Sequence, residues 1–344
     1  DAADKICAVR EKLQRGTLPA NERTTTGDWL EYWLITIVKP RVRPATYESY
    51  EAVVRLHIVP YLGRVPLSAL RPERVEQWFD ELAAVDVSAS RCRYGRVVLR
   101  TALNRAIKQG LVATNAAGLA DAPMVTTSDV MPFDGEQVRT LLNYAAKDRL
   151  GALFAVVVAC GLRQGEVLGL QWSDVDLRAR ELHVRRQLRW RRDRFVLESP
   201  KSAKSVRMVA LLPMVVDELA KHRARQGEER LRAGDNWTQI EYAGEDKARA
   251  SEYVFTTPLG APLVRYTVIR QFHKLLKRAK LPTIRFHDLR HTSATLLLLG
   301  GVPLPTVSAI LGHSGIQITA DTYGHVLKSM KHDAAEKLAQ VIGG

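Results

Sequence analysis

Residues 286–292 read Phe-His-Asp-Leu-Arg-His-Thr, and four consecutive leucines follow at 296–299. The spacing predicts a helix that begins near His287, because Arg290 and His291 then lie three and four residues further on and share roughly one side of it. The leucine run anchors the same helix in a core. One buried helix is therefore expected to present two histidines and an arginine together.

Three more short motifs place the same kinds of side chain elsewhere in the chain. Two arginines can hold the non-bridging oxygens of a phosphate, histidines can donate or accept a proton, and a tyrosine hydroxyl can act as a nucleophile. The set predicts an attack on a phosphodiester that needs no metal and no cofactor, and the sequence has no G-x-x-x-x-G-K-[ST] loop. The three motifs are Cys160-Gly-Leu-Arg163-Gln-Gly-Glu166, Leu311-Gly-His313-Ser and Asp321-Thr-Tyr323-Gly-His.

Each of these residues also has a simpler structural interpretation. Arg163 suits an ion pair that holds a helix, His313 suits a helix cap, and Tyr323 suits a packing residue with its hydroxyl hydrogen-bonded. His287 and His291 have the i, i+4 spacing of zinc ligands. However, no glutamate follows His287 as in H-E-x-x-H, and the arginine between the two histidines would repel a cation. Singly the structural interpretation is the more common one, and only the whole set favours chemistry.

The charge balance indicates the kind of partner. Lysine and arginine number 51 against 37 aspartates and glutamates, a net charge of +14, and the isoelectric point is about 9.8. Such an excess favours a polyanion, with nucleic acid first and an anionic membrane second. The longest apolar runs, such as Leu153–Leu162, fall short of the ~20 residues of a membrane span, and no signal peptide opens the sequence. We expect a cytoplasmic protein that binds double-stranded DNA and no membrane.

The first third of the chain has a helical pattern over residues 24–118. Thr26 or Asp28 is predicted to cap the first helix. A later helix is predicted over Ser88–Gln109, with Gly110 as the residue that ends it. The segment is expected to be a small domain of four or so helices.

A basic strip runs along the last of these predicted helices. Arg93, Arg96 and Arg100 share one side of it at i, i+3, i+7 spacing. Such a strip suits a DNA groove, but a solvated charged face is the more common fate of this pattern. Both interpretations stay open from the sequence.

A change of pattern marks the second part of the chain. Residues 112–135 are small, polar and turn-prone, as in a linker. Helices are predicted from Asp134 and over Leu150–Leu170. Between Asp174 and Leu212 apolar residues alternate with polar ones, which predicts a short antiparallel sheet.

The predicted sheet is rich in arginine. A hairpin of this composition suits a phosphate backbone, and a solvated loop is the alternative. Arg186, Arg189 and Arg191 are the predicted DNA-binding residues. The arginines of this region are Arg178, Arg180, Arg185, Arg186, Arg189, Arg191, Arg192 and Arg194.

The order of these motifs along the chain is similar to that of a known protein family. Besides those quoted, the chain contains Pro200-Lys201-Ser and Val254-Phe-Thr-Thr-Pro-Leu-Gly. The region from about Thr127 to His332 resembles the catalytic domain of the tyrosine recombinase (phage integrase) family. Residues 24–118 are similar to the family's helical core-binding domain, through tryptophan-containing helices and the basic strip.

The resemblance implies roles in proton and bond transfer. Tyr323 would be the nucleophile, forming a 3′-phosphotyrosyl link and expelling a 5′-hydroxyl. Lys201 would be the general acid for the leaving oxygen, and His287 would be the general base or a proton partner.

The resemblance also implies a phosphate-binding set. Arg163 and Arg290 would hold the scissile phosphate, and His313 would hydrogen-bond it. Glu166 is similar to the family's acidic residue that orients the first arginine.

The implied fold is mainly α with a small antiparallel β-sheet in the catalytic domain. It consists of a helical core-binding domain and a mixed α+β tyrosine-recombinase catalytic domain. The predicted boundaries are 1–23 for an N-terminal helix or linker remnant, 24–118 for the core-binding domain, 119–134 for the linker, and 135–344 for the catalytic domain with its tail helix.

The family likeness further implies an assembly. A homotetramer on DNA would exchange one pair of strands at a time through a Holliday junction, with DNA-bending or directionality factors as further partners. Residues 331–342 have an amphipathic pattern and are predicted to form the tail helix, which docks on a neighbouring subunit or on its own domain.

Two rival functions are also compatible with these motifs. A type IB topoisomerase uses a similar residue set to relax supercoils, although the two-domain layout and Leu-Gly-His-Ser argue against it. A DNA-binding regulator without catalysis would keep only the basic surface. Formation of a covalent adduct, followed by strand exchange between two duplexes, separates the three.

The general-acid assignment is directly testable because Lys204 lies three residues from Lys201. Lys201→Ala is expected to slow cleavage of a nicked site-containing duplex by ~10²–10⁴-fold, since the leaving oxygen loses its proton donor. Lys204→Ala is expected to cleave at close to the wild-type rate. The reverse result would assign the role to Lys204.

Overall fold

The computed structural model describes residues 24–124, 132–191, 194–199, 205–238, 253–324 and 342. Internal contacts divide the chain into two compact units, with the division between residues 128 and 129. The described parts of both are mainly helical, and the second unit also contains short antiparallel strands. This confirms the predicted fold class of mainly α with a small antiparallel β component.

The first unit is a helical bundle around a tryptophan-rich core. Trp29, Trp33 and Trp78 are almost completely buried, and the indole N–H of Trp29 donates to the carbonyl of Ala102 at 3.1 Å. π-Helical turns extend the first two helices. The helices are α1 (Thr26–Tyr32), α2 (Pro44–Val53), α3 (Val59–Leu62), α4 (Pro72–Ala83), α5 (Ala89–Lys108) and α6 (Ala116–Leu119).

The cap of α1 differs from the prediction. Thr25 is the capping residue: its hydroxyl accepts from the Asp28 N–H, and the Asp28 carboxylate accepts from the Thr25 N–H. Thr26 is instead buried, and its hydroxyl donates to the carbonyl of Val65 at 2.9 Å. Asp28 therefore completes a capping box from the third helical position.

The basic helix predicted over Ser88–Gln109 is confirmed as α5. The Ser88 hydroxyl accepts from the Arg91 N–H, and Gly110 has the positive φ of +69° that suits a residue just past a helix end. The chain then departs from the predicted linker at 112–135, because α6 packs Ala116 and Ala117 into the core. Small residues signal close packing here as well as turns.

The second unit is built around one helix that is buried on all sides. The helices are α7 (Gly135–Ala145), α8 (Gly151–Cys160), α9 (Gln164–Leu168), α10 (Pro213–Ala233), α11 (Arg265–Ala279), α12 (Asp288–Leu299), α13 (Leu304–Leu311) and α14 (residues 316–324). Nearly every residue of α8 is buried, and α7, α10 and α12 pack against it. The helix predicted from Asp134 is present as α7, and Asp134 and Gln137 form a capping box at its start.

The helix predicted over Leu150–Leu170 is broken. α8 ends at Gly161, which has a φ of +60°, and Arg163 then caps the separate helix α9. The sequence pattern misses the break because apolar residues continue through it. As a result, the chain turns just before Arg163, the first arginine of the motif set.

The strands form two separate antiparallel sheets. β1 (Val175–Asp176), β2 (Glu181–Val184) and β5 (Arg207–Ala210) make a three-stranded sheet in the order β1-β2-β5. β3 (Gln187–Arg191) and β4 (Arg194–Glu198) pair with each other. Alternation predicts strands but not which strands pair, so the single predicted sheet is two.

No helix among the described residues is long and apolar enough to cross a membrane.

The break at Gly161 yields a stability prediction. A β-carbon there would lie 2.6 Å from Leu311 Cδ2, in a left-handed backbone conformation. Gly161→Ala is expected to lower the free energy of unfolding by about 2–5 kcal/mol, the sum of backbone strain and overpacking. Gly301→Ala is the control, since its φ is +79° but nothing lies within 4 Å. Gly301→Ala should lower the free energy of unfolding by only about 1–2 kcal/mol. Both variants are measured by urea titration, and equal decreases would contradict the packing argument.

Candidate active site

The carboxylate of Glu166 lies between two arginines. Arg163 precedes α9, and Glu166 stands at its third position, so the Arg163 N–H and Nη1 donate to its two oxygens at 3.0 and 2.7 Å. Arg207 on β5 donates to Oε2 at 2.9 Å. Burial alone would raise the pKa of Glu166, but the charges and hydrogen bonds of Arg207 and Arg163 lower it below its usual value. Glu166 is therefore a buried anion that orients two cations.

The carboxyl end of α13 is the second anchor for the arginines. Arg163 Nη2 donates to the Gly312 carbonyl at 3.1 Å, and Arg290 Nη2 donates to the Leu311 carbonyl at 2.7 Å. Arg207 Nε donates to the Ile310 carbonyl at 2.5 Å. These carbonyls have no partner within the helix and stand at its negative end, where cations are stabilised.

Arg207 was not predicted from the sequence. It is almost fully buried, and it links β5 to both Glu166 and α13. The sequence between residues 174 and 212 is so rich in arginine that it does not distinguish Arg207 from the others. Arg207 is distinguished only by its inward-facing side chain on the paired strand β5.

Arg290 is the most deeply buried of the three arginines. Its Nη1 also donates to the carbonyl of Gly161 at 2.6 Å, so the turn after α8 holds it from a second side. Burial and the nearby charge of Arg163 lower the pKa of Arg290 to about 9. It stays charged at neutral pH, in surroundings that favour the approach of an anion.

His313 and His287 border the same groove as the arginines. Burial, followed by the neighbouring arginines, lowers the pKa of His313 to about 4, and its Nδ1 is 2.7 Å from the Thr319 hydroxyl. Partial desolvation and the neighbouring His291 and Arg290 lower the pKa of His287 to about 4. Both histidines are therefore neutral at pH 7 and able to accept or donate one hydrogen bond at each ring nitrogen.

These side chains line a cavity of about 580 Å³. Arg163, His287, Arg290 and His313 all contribute to its wall. The described wall contains the arginines Arg163, Arg189 and Arg290 and one carboxylate, Glu166, so it carries excess positive charge. A tetrahedral anion with several acceptor oxygens fits this arrangement.

Tyr323 lies on α14 and is not one of the residues that line the cavity. The ring is 2% exposed and packs with Leu298, Val307 and Leu311, and its hydroxyl is 2.9 Å from His291 Nδ1. Burial raises the pKa of Tyr323 to about 12, against the opposing effect of the Arg290 charge. The sequence placed Tyr323 in the site but did not predict its contact with His291, nor that of His313 with Thr319.

Lys201, the predicted general acid, and residues 331–341 of the predicted tail helix fall outside the described residues. In the described part of the chain, no group of three or more histidine, cysteine, aspartate or glutamate side chains is arranged so that it could hold a metal ion.

The predicted DNA-binding arginines of the second unit have acidic or polar partners. Arg186 pairs with Asp174 at 2.8 Å and also contacts Gln171, while Arg189 and Arg191 pair with Glu198 at 3.6 and 3.0 Å. Their charges are therefore partly compensated within the chain.

The predicted DNA-binding arginines of the first unit divide differently. Arg96 donates to the carbonyls of Gly118 and Ala120 at 3.1 and 2.7 Å, and so holds α6 against α5. Arg93 and Arg100 are exposed. The strip thus has one structural member and two that face outward.

Comparison with known proteins extends over most of the chain. The model of the phage integrase family matches residues 132–330, and that of the phage integrase N-terminal SAM-like domain matches residues 25–83. A tyrosine recombinase XerC-like protein of Caldanaerobacter subterraneus subsp. tengcongensis is 32% identical over 91% of this chain and 82% of its own length. An integrase of Saccharopolyspora erythraea is 26% identical, with 97% and 87% covered. The fold is similar to that of the Tn1549 transposon integrase solved with transposon right end DNA, with a TM-score of 0.76, 20% identity, and 93% and 100% covered.

The Glu166 arrangement predicts a pH-dependent stability. Glu166→Gln is expected to lower the free energy of unfolding at pH 7 by about 3 kcal/mol, because buried Arg207 loses its counter-charge. The pKa of Glu166 is lower in the folded protein, so its contribution is complete above its unfolded pKa and is lost as pH falls through the folded value. The gap between wild type and variant should shrink below about pH 4 in urea titrations. Exposed Glu136→Gln is the control, and a gap independent of pH would contradict the assignment.

Proposed function

The chain belongs to the phage integrase family of tyrosine recombinases, and from this premise we propose how its residues cut and rejoin DNA. It is an enzyme, a site-specific DNA recombinase of the integrase type. In our proposal the Tyr323 hydroxyl attacks a DNA phosphorus, forms a 3′-phosphotyrosyl bond and releases a 5′-hydroxyl. Strand exchange then integrates or excises a mobile element.

One observation carries this proposal. Arg163 and Arg290 are far apart along the chain but line the same cavity, and both donate to carbonyls at the carboxyl end of α13. Displacement at phosphorus increases the negative charge on its non-bridging oxygens, and cations that are already held in place stabilise that charge without reorganising. Each arginine has further N–H groups to offer beyond those bonded to carbonyls. We assign the two arginines to the scissile phosphate.

His313 adds a neutral donor to the same wall. Its Nδ1 is occupied by Thr319, which leaves Nε2 as the nitrogen for a phosphate oxygen. Glu166 acts through Arg163 and Arg207 as a positioning residue. Lys201 is proposed as the proton donor to the 5′ oxygen, and His287 as general base or proton partner.

Retention of bond energy supports a reaction without a cofactor. A phenolate is a better leaving group than an alkoxide, because the ordinary pKa of tyrosine is ~10. The phosphotyrosyl bond therefore stores the energy that the 5′-hydroxyl of the partner strand uses on rejoining. The same residues therefore serve both cleavage and rejoining.

Wider DNA contacts are proposed for both units. Arg93 and Arg100 are the outward arginines of α5, and the net charge of +14 favours a long phosphate footprint. Arg186, Arg189 and Arg191 would exchange or share their acidic partners with phosphates, whereas Arg96 supports α6. We propose that a homotetramer with a Holliday-junction intermediate carries out the exchange, with accessory DNA-bending or directionality factors.

The nucleophile can be tested even though the recombination site is unidentified. Wild type is incubated with sheared genomic DNA of the source organism, denatured with detergent, and the covalent protein–DNA adducts are collected and sequenced. Tyr323→Phe is expected to yield no adduct while still binding DNA, because it lacks the attacking oxygen. Exposed Tyr266→Phe, the matched control, should yield as much adduct as wild type. Adducts that persist in Tyr323→Phe would refute the assignment.

A further inference from the structure

His291 is the side chain in contact with the attacking atom. Its Nδ1 lies 2.9 Å from the Tyr323 hydroxyl oxygen, and the two rings are 5.7 Å apart between centroids. His291 is on the first turn of α12 and Tyr323 is on α14, so two different elements bring them together. The phenol of a neutral tyrosine donates, and an unprotonated imidazole nitrogen accepts.

The surroundings of His291 keep it unprotonated before DNA binds. Burial lowers its pKa, the Asp288 carboxylate one turn earlier raises it, and Arg285 and Arg290 lower it again. His287 and Tyr323 are the other titratable groups against its ring. A neutral imidazole that is hydrogen-bonded to a phenol can act as a general base toward it.

His287 is the other candidate base, but it is placed differently. Its ring stands edge-on to that of His291, 5.3 Å away between centroids, and it lines the cavity wall. No hydrogen bond joins His287 to Tyr323, although the structure describes both residues. His291 is therefore the histidine that contacts the Tyr323 hydroxyl, whereas His287 lines the cavity.

Resting on the function proposed above, we propose that His291 is a catalytic residue that takes the proton of Tyr323 during cleavage. As the Oη–P bond forms, the hydroxyl proton passes to Nδ1 of His291. The P–O5′ bond breaks, and the 5′ oxygen takes its proton from the general acid. On rejoining, the 5′-hydroxyl attacks the phosphorus and returns its proton to the deprotonated general acid, the phenolate leaves, and the His291 imidazolium returns its proton to Oη.

The phenol of Tyr323 needs such a base. Burial raises its pKa to about 12, so at pH 7 only about one phenol in 10⁵ is ionised. The hydroxyl becomes far more acidic as its oxygen bonds to phosphorus, and a base already hydrogen-bonded to it receives the proton without rearrangement. The negative charge of a bound phosphate also offsets the Arg290 charge that disfavours a protonated His291.

The test measures single-turnover adduct formation between pH 6 and 9. Its substrate is a nicked duplex carrying a site recovered in the genomic experiment. His291→Asn keeps a hydrogen-bonding group near the position of Nδ1 but cannot take a proton. We expect it to be at least ~100-fold slower at pH 7, with a rate that rises about tenfold per pH unit, because solvent must remove the proton. Wild type should be nearly flat above pH 7.

Matched variants separate the possible outcomes. His183→Asn, a histidine of β2 outside the cavity, should behave as wild type, and His287→Asn should be slower without acquiring the steep pH slope. His291→Gln is measured alongside, and the comparison uses the His291 variant that retains the wild-type melting temperature and DNA binding.

Three results would overturn the role of His291. They are a His291 variant within threefold of wild type, a slow variant with a flat pH profile, or the steep slope appearing in His287→Asn instead. In each case an adduct that still depends on Tyr323 leaves the proposed function intact. An adduct that forms without Tyr323 refutes that function itself.

Discussion

The carboxyl end of α13 is the constraint on which the active site depends. Its last carbonyls, of Ile310, Leu311 and Gly312, have no partner within the helix, and three arginines from distant parts of the chain donate to them. A helix end is a fixed set of acceptors with a partial negative charge, so it aligns the guanidinium groups as well as attracting them. Gly312 completes the end in a left-handed conformation, with the Arg207 side chain packed where a β-carbon would be.

The positive charge of this cluster is only partly compensated, since Glu166 pairs with Arg163 and Arg207, whereas Arg290 is bonded to backbone carbonyls. Buried cations without enough counter-charge are costly, and the effect is visible in the lowered pKa of Arg290. In the proposed mechanism, a phosphate that enters the cavity supplies the missing negative charge. The binding of DNA and the stabilisation of charge during displacement would then draw on one arrangement that folding has already built.

Two histidines hold the helix that carries Tyr323, the proposed nucleophile, by hydrogen-bonding contacts. Thr319 and Tyr323 are one turn apart on α14, and they contact His313 and His291 respectively. Through these contacts α14 is tied both to the turn after α13 and to the start of α12. Because burial lowers the pKa of these histidines, each remains neutral and can change its hydrogen-bonding role as charge moves through the site.

The sequence by itself determined the helical character of both parts of the chain, the presence of antiparallel strands and the family, because periodicity, caps and short motifs are local properties. It also singled out Arg163, Arg290, His313 and Tyr323, whose neighbours along the chain are distinctive. It did not reveal the end of α8 at Gly161, the two separate sheets, the part played by Arg207, or the pairing of His291 with Tyr323. Those were decided only by the tertiary structure, since an arginine among many or a second histidine acquires its role from the partner that folding places within hydrogen-bonding distance.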